Sequence, residues 1–143
     1  MTIFEKRYSV PRDDDDTMTI PFLAIALAGL LGGQQSPSVL GRWVGESRCI
    51  GTQPACHDEH VIYQIDSAGP HHFTFKGGRT AGADTVDMGD LSCDNTTGDP
   101  ALVCRIPLGV WRFSVVNGRL EGVLTESGGK VTRRATADRA PAR

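Results

Sequence analysis

No stretch of this chain stays apolar for long enough to cross a bilayer as a helix. The longest such run, Ile20–Leu31 (IPFLAIALAGLL), has about 12 residues, against roughly 18–20 for a spanning helix. Nor is either charge in excess. Fifteen Lys and Arg stand against 17 Asp and Glu, which excludes recognition of nucleic acid through a basic surface. Aromatic residues make up only 6% of the chain, so a core built from them must be small. From Ser36 onward no apolar stripe recurs at helical spacing, which leaves strands as the regular structure. What the chain does have is 17 glycines and four cysteines, a composition that suits a turn-rich, disulfide-stapled domain.

The run Ile20–Leu31 reads as the apolar region of a signal peptide, with Ala26-Leu27-Ala28 and then Gly32-Gly33 as candidate small-residue cleavage signals. Asp13, Asp14, Asp15 and Asp16 stand just before it, where a leader should be basic. A start at Met18 removes the conflict. The expected organisation is therefore residues 1–17 as a mis-assigned start or disordered segment, 18–35 as a signal peptide, and 36–143 as a single β domain. A cytosolic protein with an apolar first element is the rival. Without residues 1–17 the chain loses five acids and three bases, leaving 12 of each. A neutral, secreted or periplasmic domain with no membrane span in its mature form has no electrostatic reason to seek nucleic acid.

Cys49, Cys56, Cys93 and Cys104 all lie in the mature part, and an even count beside a leader reads as two disulfides. Three connectivities are possible. Pairing Cys49 with Cys56 and Cys93 with Cys104 is favoured because each pair brackets a turn-rich segment, IGTQPA or DNTTGDPALV, from which the flanking strands can return. A four-cysteine zinc site is disfavoured, since the paired C-x(2–4)-C knuckles of such sites are missing.

Short alternating runs predict eight strands. They cover about 41–50, 59–66, Phe73 to a stop at Gly77-Gly78, and 85–93, then Leu102–Ile106, a run through Trp111, Phe113 and Val115, one through Leu120 and Leu124, and finally 131–137. Asn117-Gly118 is the strongest hairpin signal among them. The tail from Asp138 onward is expected to fray. Strands spaced so evenly, with short links, favour a small antiparallel up-and-down barrel of about eight strands, in which closure removes exposed edges; a β-sandwich is the alternative. Six aromatics in the mature chain favour a mostly filled interior. If it is hollow, Tyr63, Phe73, Phe75, Trp111 and Phe113 are the side chains expected to face a ligand.

The first strand opens with Gly41-Arg42-Trp43 and the last carries Arg133-Arg134, a combination that resembles the lipocalin-like (calycin) barrels. That resemblance implies that Trp43 closes one end of the barrel and that Arg133 or Arg134 packs across it. The chain also resembles small exported bacterial proteins of unassigned function. Trp43-Val44-Gly45-Glu46-Ser47-Arg48-Cys49 reads as their W-x-G-x-S-x-C strand, followed by Cys56-His57-Asp58-Glu59 and Val61-Ile62-Tyr63, then by Met88–Cys93 and the region from Trp111 to Glu121-Gly122. The likeness spans most of residues 41–135. It implies fold and export rather than chemistry, and His57 and His60 stand outside it.

All four histidines, His57, His60, His71 and His72, fall within sixteen residues. If the second and third strands form a hairpin, His60 and one of the later pair could meet with Asp58 or Glu59 around zinc. Neighbours on a strand face opposite sides, however, and a solvated rim is the favoured reading. Asp58 and Glu59 are read as exposed turn acids, and Ser47 and Ser92 lack a Gly-x-Ser-x-Gly elbow. No catalytic residue and no cofactor is assigned. The expectation is a monomeric, non-enzymatic exported barrel that binds either a small apolar ligand in its mouth or an extracellular protein across its loops, as an inhibitor would. A metal-assisted hydrolase built on the histidines is the alternative.

Overall fold

The computed structural model describes residues 38–141, and among them there is no helix. Both the proposed leader and residues 1–17 lie outside the described residues. Eight antiparallel strands follow one another in chain order: β1 (Gly41–Cys49), β2 (Glu59–Gly69), β3 (His72–Ala81), β4 (Asp84–Asp94), β5 (Leu102–Ile106), β6 (Gly109–Val116), β7 (Arg119–Glu126) and β8 (Val131–Arg139). Each pairs with the next and β8 pairs with β1, so the sheet closes into a barrel rather than a sandwich. Alternation sets the inside. Val61, Tyr63 and Ile65 of β2 are buried, as are Leu120 and Leu124 of β7, while their neighbours face outward.

Asn117 and Gly118, at φ 51° and 78°, form the tight β6–β7 turn that an Asn-Gly pair favours. Gly122 has a different role, because a Cβ there would come within 2.4 Å of the Phe113 ring. That ring occupies the middle of the barrel, and only a residue without a side chain leaves room for it. The disulfides are Cys49–Cys56, which staples the β1–β2 loop, and Cys93–Cys104, which joins β4 to β5. The latter two residues are cross-strand partners, and Asp94–Val103 is the only other rung between these strands.

The strand directions give the barrel two unlike ends. One end, where β1 begins and β8 finishes, is sealed. Trp43 is fully buried there and donates its indole N–H to the Val39 carbonyl at 2.9 Å. The Arg139 guanidinium lies 4.3 Å from the centre of the Trp43 ring and donates to the carbonyls of Leu40 and Ser38. The capping arginine is thus Arg139, and neither Arg133 nor Arg134 takes that role. Register explains the difference: Trp43 pairs with Arg139, whereas Arg133 pairs with Cys49 at the far end of β1, and Arg134 points out of the barrel. Asp138 and Arg139, expected to belong to a frayed tail, instead end β8, and residues 142–143 of that tail lie outside the described residues.

Gly77-Gly78 does not end β3. The strand runs on to Ala81, and the glycines sit at a register shift where β4 carries one extra residue, Met88. The true turn comes at Gly82, which has φ 63°. Glycine inside a strand often marks a β-bulge, so a Gly-Gly pair fits a bulge as well as it fits a turn.

Candidate ligand-binding cavity

The second end of the barrel is hollow. A cavity of about 280 Å³ opens there, among the β1–β2, β3–β4, β5–β6 and β7–β8 connections. Its deep wall is aromatic. Phe113 stacks between Phe75, at 4.4 Å between ring centres, and Trp111, at 5.1 Å, while Tyr63 meets Phe113 edge-on at 5.8 Å. The side chains of Val61 on β2, Met88 and Leu91 on β4, Ile106 on β5 and Leu124 on β7 complete the apolar lining. Strand alternation accounts for the set, since Tyr63, Phe75 and Phe113 occupy inward positions of adjacent or facing strands.

Against this wall stands a polar group made of Ser47, Glu59, Tyr63 and Arg133. The side chain of Arg133 is only 17% exposed. Its Nη1 donates to the Ser47 hydroxyl at 3.0 Å and its Nη2 to the His57 carbonyl at 2.9 Å. The same nitrogen lies 3.2 Å from the sulfur of Cys56. Arg133 therefore ties β8 to the stapled β1–β2 loop as well as lining the cavity. Burial pushes the Tyr63 hydroxyl up to about 12, opposed in part by its hydrogen bond with Ser47 and by the charge of Arg133. Glu59 lies between two cations, 3.6 Å from Arg133 Nη1 and 3.9 Å from Arg79 Nη1. Both separations exceed an ordinary hydrogen bond.

Of the five aromatics expected to face a ligand, Tyr63, Phe75, Trp111 and Phe113 line the cavity. Phe73 does not. It pairs with Cys93 near the sealed end and packs against the core from a half-buried position. Met88, Ser47, Glu59 and Arg133 join the site without having been assigned to it. Ser47 was legible, since it shares the inward face of β1 with Trp43. Met88 was not, because the bulge shifts the alternation of β4.

The histidines are spread over both ends. His71 and His72 belong to the β2–β3 turn beside the sealed end, where their Nδ1 atoms meet Asn95 Oδ1, at 2.9 Å, and Asp94 Oδ1. His60 lies at the other end of β2, with its Nδ1 4.0 Å from Glu46. An antiparallel hairpin brings the end of β2 to the start of β3, so the nine residue steps from His60 to Gly69 hold the two groups about 30 Å apart at the usual strand rise. Among the described residues no three His, Cys, Asp or Glu side chains are placed to hold a metal ion. Asp58 and Glu59 also diverge: Asp58 accepts the Cys49 N–H at 2.8 Å on the outer side, while Glu59 turns to the cavity. A wider concavity, about 700 Å³, runs along the outer wall past Arg48, Arg119 and Arg134, and two of these cations are already paired, with Glu46 and Asp138.

No family model matches the chain, and neither does any curated protein. Solved structures do. A redesigned β-barrel aligns at a TM-score of 0.52 and 11% identity, over 75% of this chain and 100% of its own. Zebrafish ileal bile acid-binding protein, complexed with cholic acid, gives 0.40 and 13% identity over 71% of this chain and 98% of its own. Rv2717c from M. tuberculosis gives 0.41 and 14% over 71% and 92%. At such identities the likeness is one of fold.

Proposed function

We propose that this protein is a non-enzymatic, exported binding barrel that takes one small, predominantly apolar ligand through its open end. The observation that carries the reading is the aromatic-walled cavity of about 280 Å³, close to the lower bound of about 300 Å³ for small-molecule pockets. A cavity of this volume suits a ligand of one or two rings. Binding is supported over catalysis by the fate of the polar groups. Ser47 faces the Arg133 guanidinium rather than a base, and no histidine is among the residues that line the cavity. Export is supported by the two disulfides and by the apolar run Ile20–Leu31.

Titration calorimetry with the uncharged two-ring compound 1-naphthamide, read in parallel through Trp111 fluorescence, tests this. The expected result is saturable binding of one molecule per chain, with quenching. A protein that binds neither this nor its carboxylate counterpart, and that carries no small molecule in native mass spectrometry, would leave the cavity reading without support.

A further inference from the structure

We infer that the ligand is an anion, and that Glu59 is a stand-in counter-ion which the ligand's negative group displaces from between Arg79 and Arg133. This rests on the cavity reading above and adds the charge of what the cavity takes.

Two guanidiniums flank one carboxylate, at 3.9 Å for Arg79 and 3.6 Å for Arg133, so this group of three holds one positive charge more than it pairs. Among the described residues no other carboxylate forms an ion pair with either guanidinium. Asp58 lies on the outer side with Arg48 and is engaged by the Cys49 N–H. His60, next in the chain, faces outward toward Glu46.

Neither guanidinium uses Glu59 to full advantage. Arg133 places its hydrogen bonds on the Ser47 hydroxyl and the His57 carbonyl, which are neutral acceptors. Arg79 is 47% exposed, and Glu59 is its charged partner among the described residues. A guanidinium presents five N–H donors in a planar fork suited to carboxylate. Here that fork is held at a distance too long for a direct bond. Arg79 stands opposite Val61 on β2, whose side chain lines the cavity, so its reach is toward the opening. A planar ring lying against Phe75 and Phe113 would thus carry a carboxylate or similar anion outward to this pair of cations. Glu59, only a quarter exposed, would swing to the rim and into water.

The chemical class is therefore a small aromatic or cyclic acid, ionised, with its apolar body inward. 1-Naphthoate and 1-naphthamide have nearly the same shape and differ in charge, so they isolate the anion's share of binding. Calorimetry on the full chain is expected to show naphthoate bound about tenfold more tightly, as one charge-assisted hydrogen bond at a half-exposed site would give. Arg79→Gln, a surface change that leaves the core intact, is expected to bring the two affinities within about threefold. Glu59→Gln should act in the opposite sense and tighten naphthoate alone, by removing the competing carboxylate. Equal binding of the two compounds, or a preference for the amide, would overturn the anion inference while leaving the cavity as a site. Loss of naphthoate affinity in Glu59→Gln would overturn the counter-ion role. If neither compound binds, the cavity reading falls and the inference with it.

Discussion

Tyr63 shows how one inward position couples stability to pH. Its hydroxyl titrates near 12 in the folded protein because burial opposes the phenolate, against about 10 in an unfolded chain. Between those values the unfolded state has lost the proton and the folded state keeps it, so stability is undiminished below pH 10 and falls as pH rises toward 12. The loss should reach about 2–3 kcal/mol. Urea unfolding at pH 9 and pH 12 will show it as the part of the alkaline destabilisation that is missing in Tyr63→Phe. Gly122 makes a steric case in the same core. The ring it accommodates is held between Phe75 and Trp111 and cannot retreat. Gly122→Ala is expected to cost about 1–3 kcal/mol through overpacking, measurable as a shift of the urea midpoint at unchanged slope.

At the scale of strands, the weakest join in the barrel is between β4 and β5. Two rungs hold it, one of them between the disulfide-bonded cysteines, whereas β6 and β7 share eight. Alternate amides along Met88–Ser92, which lack a β5 partner, should exchange with deuterium faster than those of β7. Replacing Cys93 and Cys104 by Ala should extend the fast exchange to Cys93 and Asp94 and cost about 2.5–3 kcal/mol. Strand direction also sets the response to metal. With His60 at one end of β2 and His71 and His72 at the other, stoichiometric zinc is expected to leave the melting temperature unchanged; a rise would mean that metal is held by a set of ligands the hairpin does not bring together.

What could be read from the chain follows the same division. Strand count and both disulfides were legible because each depends on local alternation or on turns that carry Gly, Pro, Asn and Asp, while the closing role of Trp43 came from the resemblance that Gly41-Arg42-Trp43 carries. Errors arose where pairing between distant strands decides. Arg133 and Arg139 are both inward residues of β8, and only the offset of β8 against β1 assigns Arg139 to the tryptophan and Arg133 to the cavity. Gly77-Gly78 has the composition of a turn, but it faces a bulge whose extra residue belongs to another strand. The Arg79–Glu59–Arg133 row draws on three strands, and no spacing in the sequence records that they meet.

For the molecule as a whole, the contrast between a sealed end and a hollow one sets stability against function. The sealed end is packed around Trp43, while the open end leaves about 280 Å³ unfilled beside Phe75, Trp111 and Phe113. Such a space forfeits dispersion contacts that a filled core would make. Gly77 offers a way to fill it. It lines the cavity from β3, and a Cβ there would meet the Met88 side chain at 3.5 Å, an ordinary contact. Gly77→Val should therefore place two methyl groups in the hollow without displacing backbone, and a β-branched residue also suits a strand. The expected gain is about 0.5–1 kcal/mol in the ligand-free protein, as for other cavity-filling changes. The same change should abolish binding. At a naphthoate concentration a hundred times its dissociation constant, the wild-type protein gains about 2.7 kcal/mol and a correspondingly higher melting temperature, while the variant should gain nothing. A Gly77→Val protein that is more stable and binds naphthoate as tightly as the wild type would show that the ligand sits elsewhere.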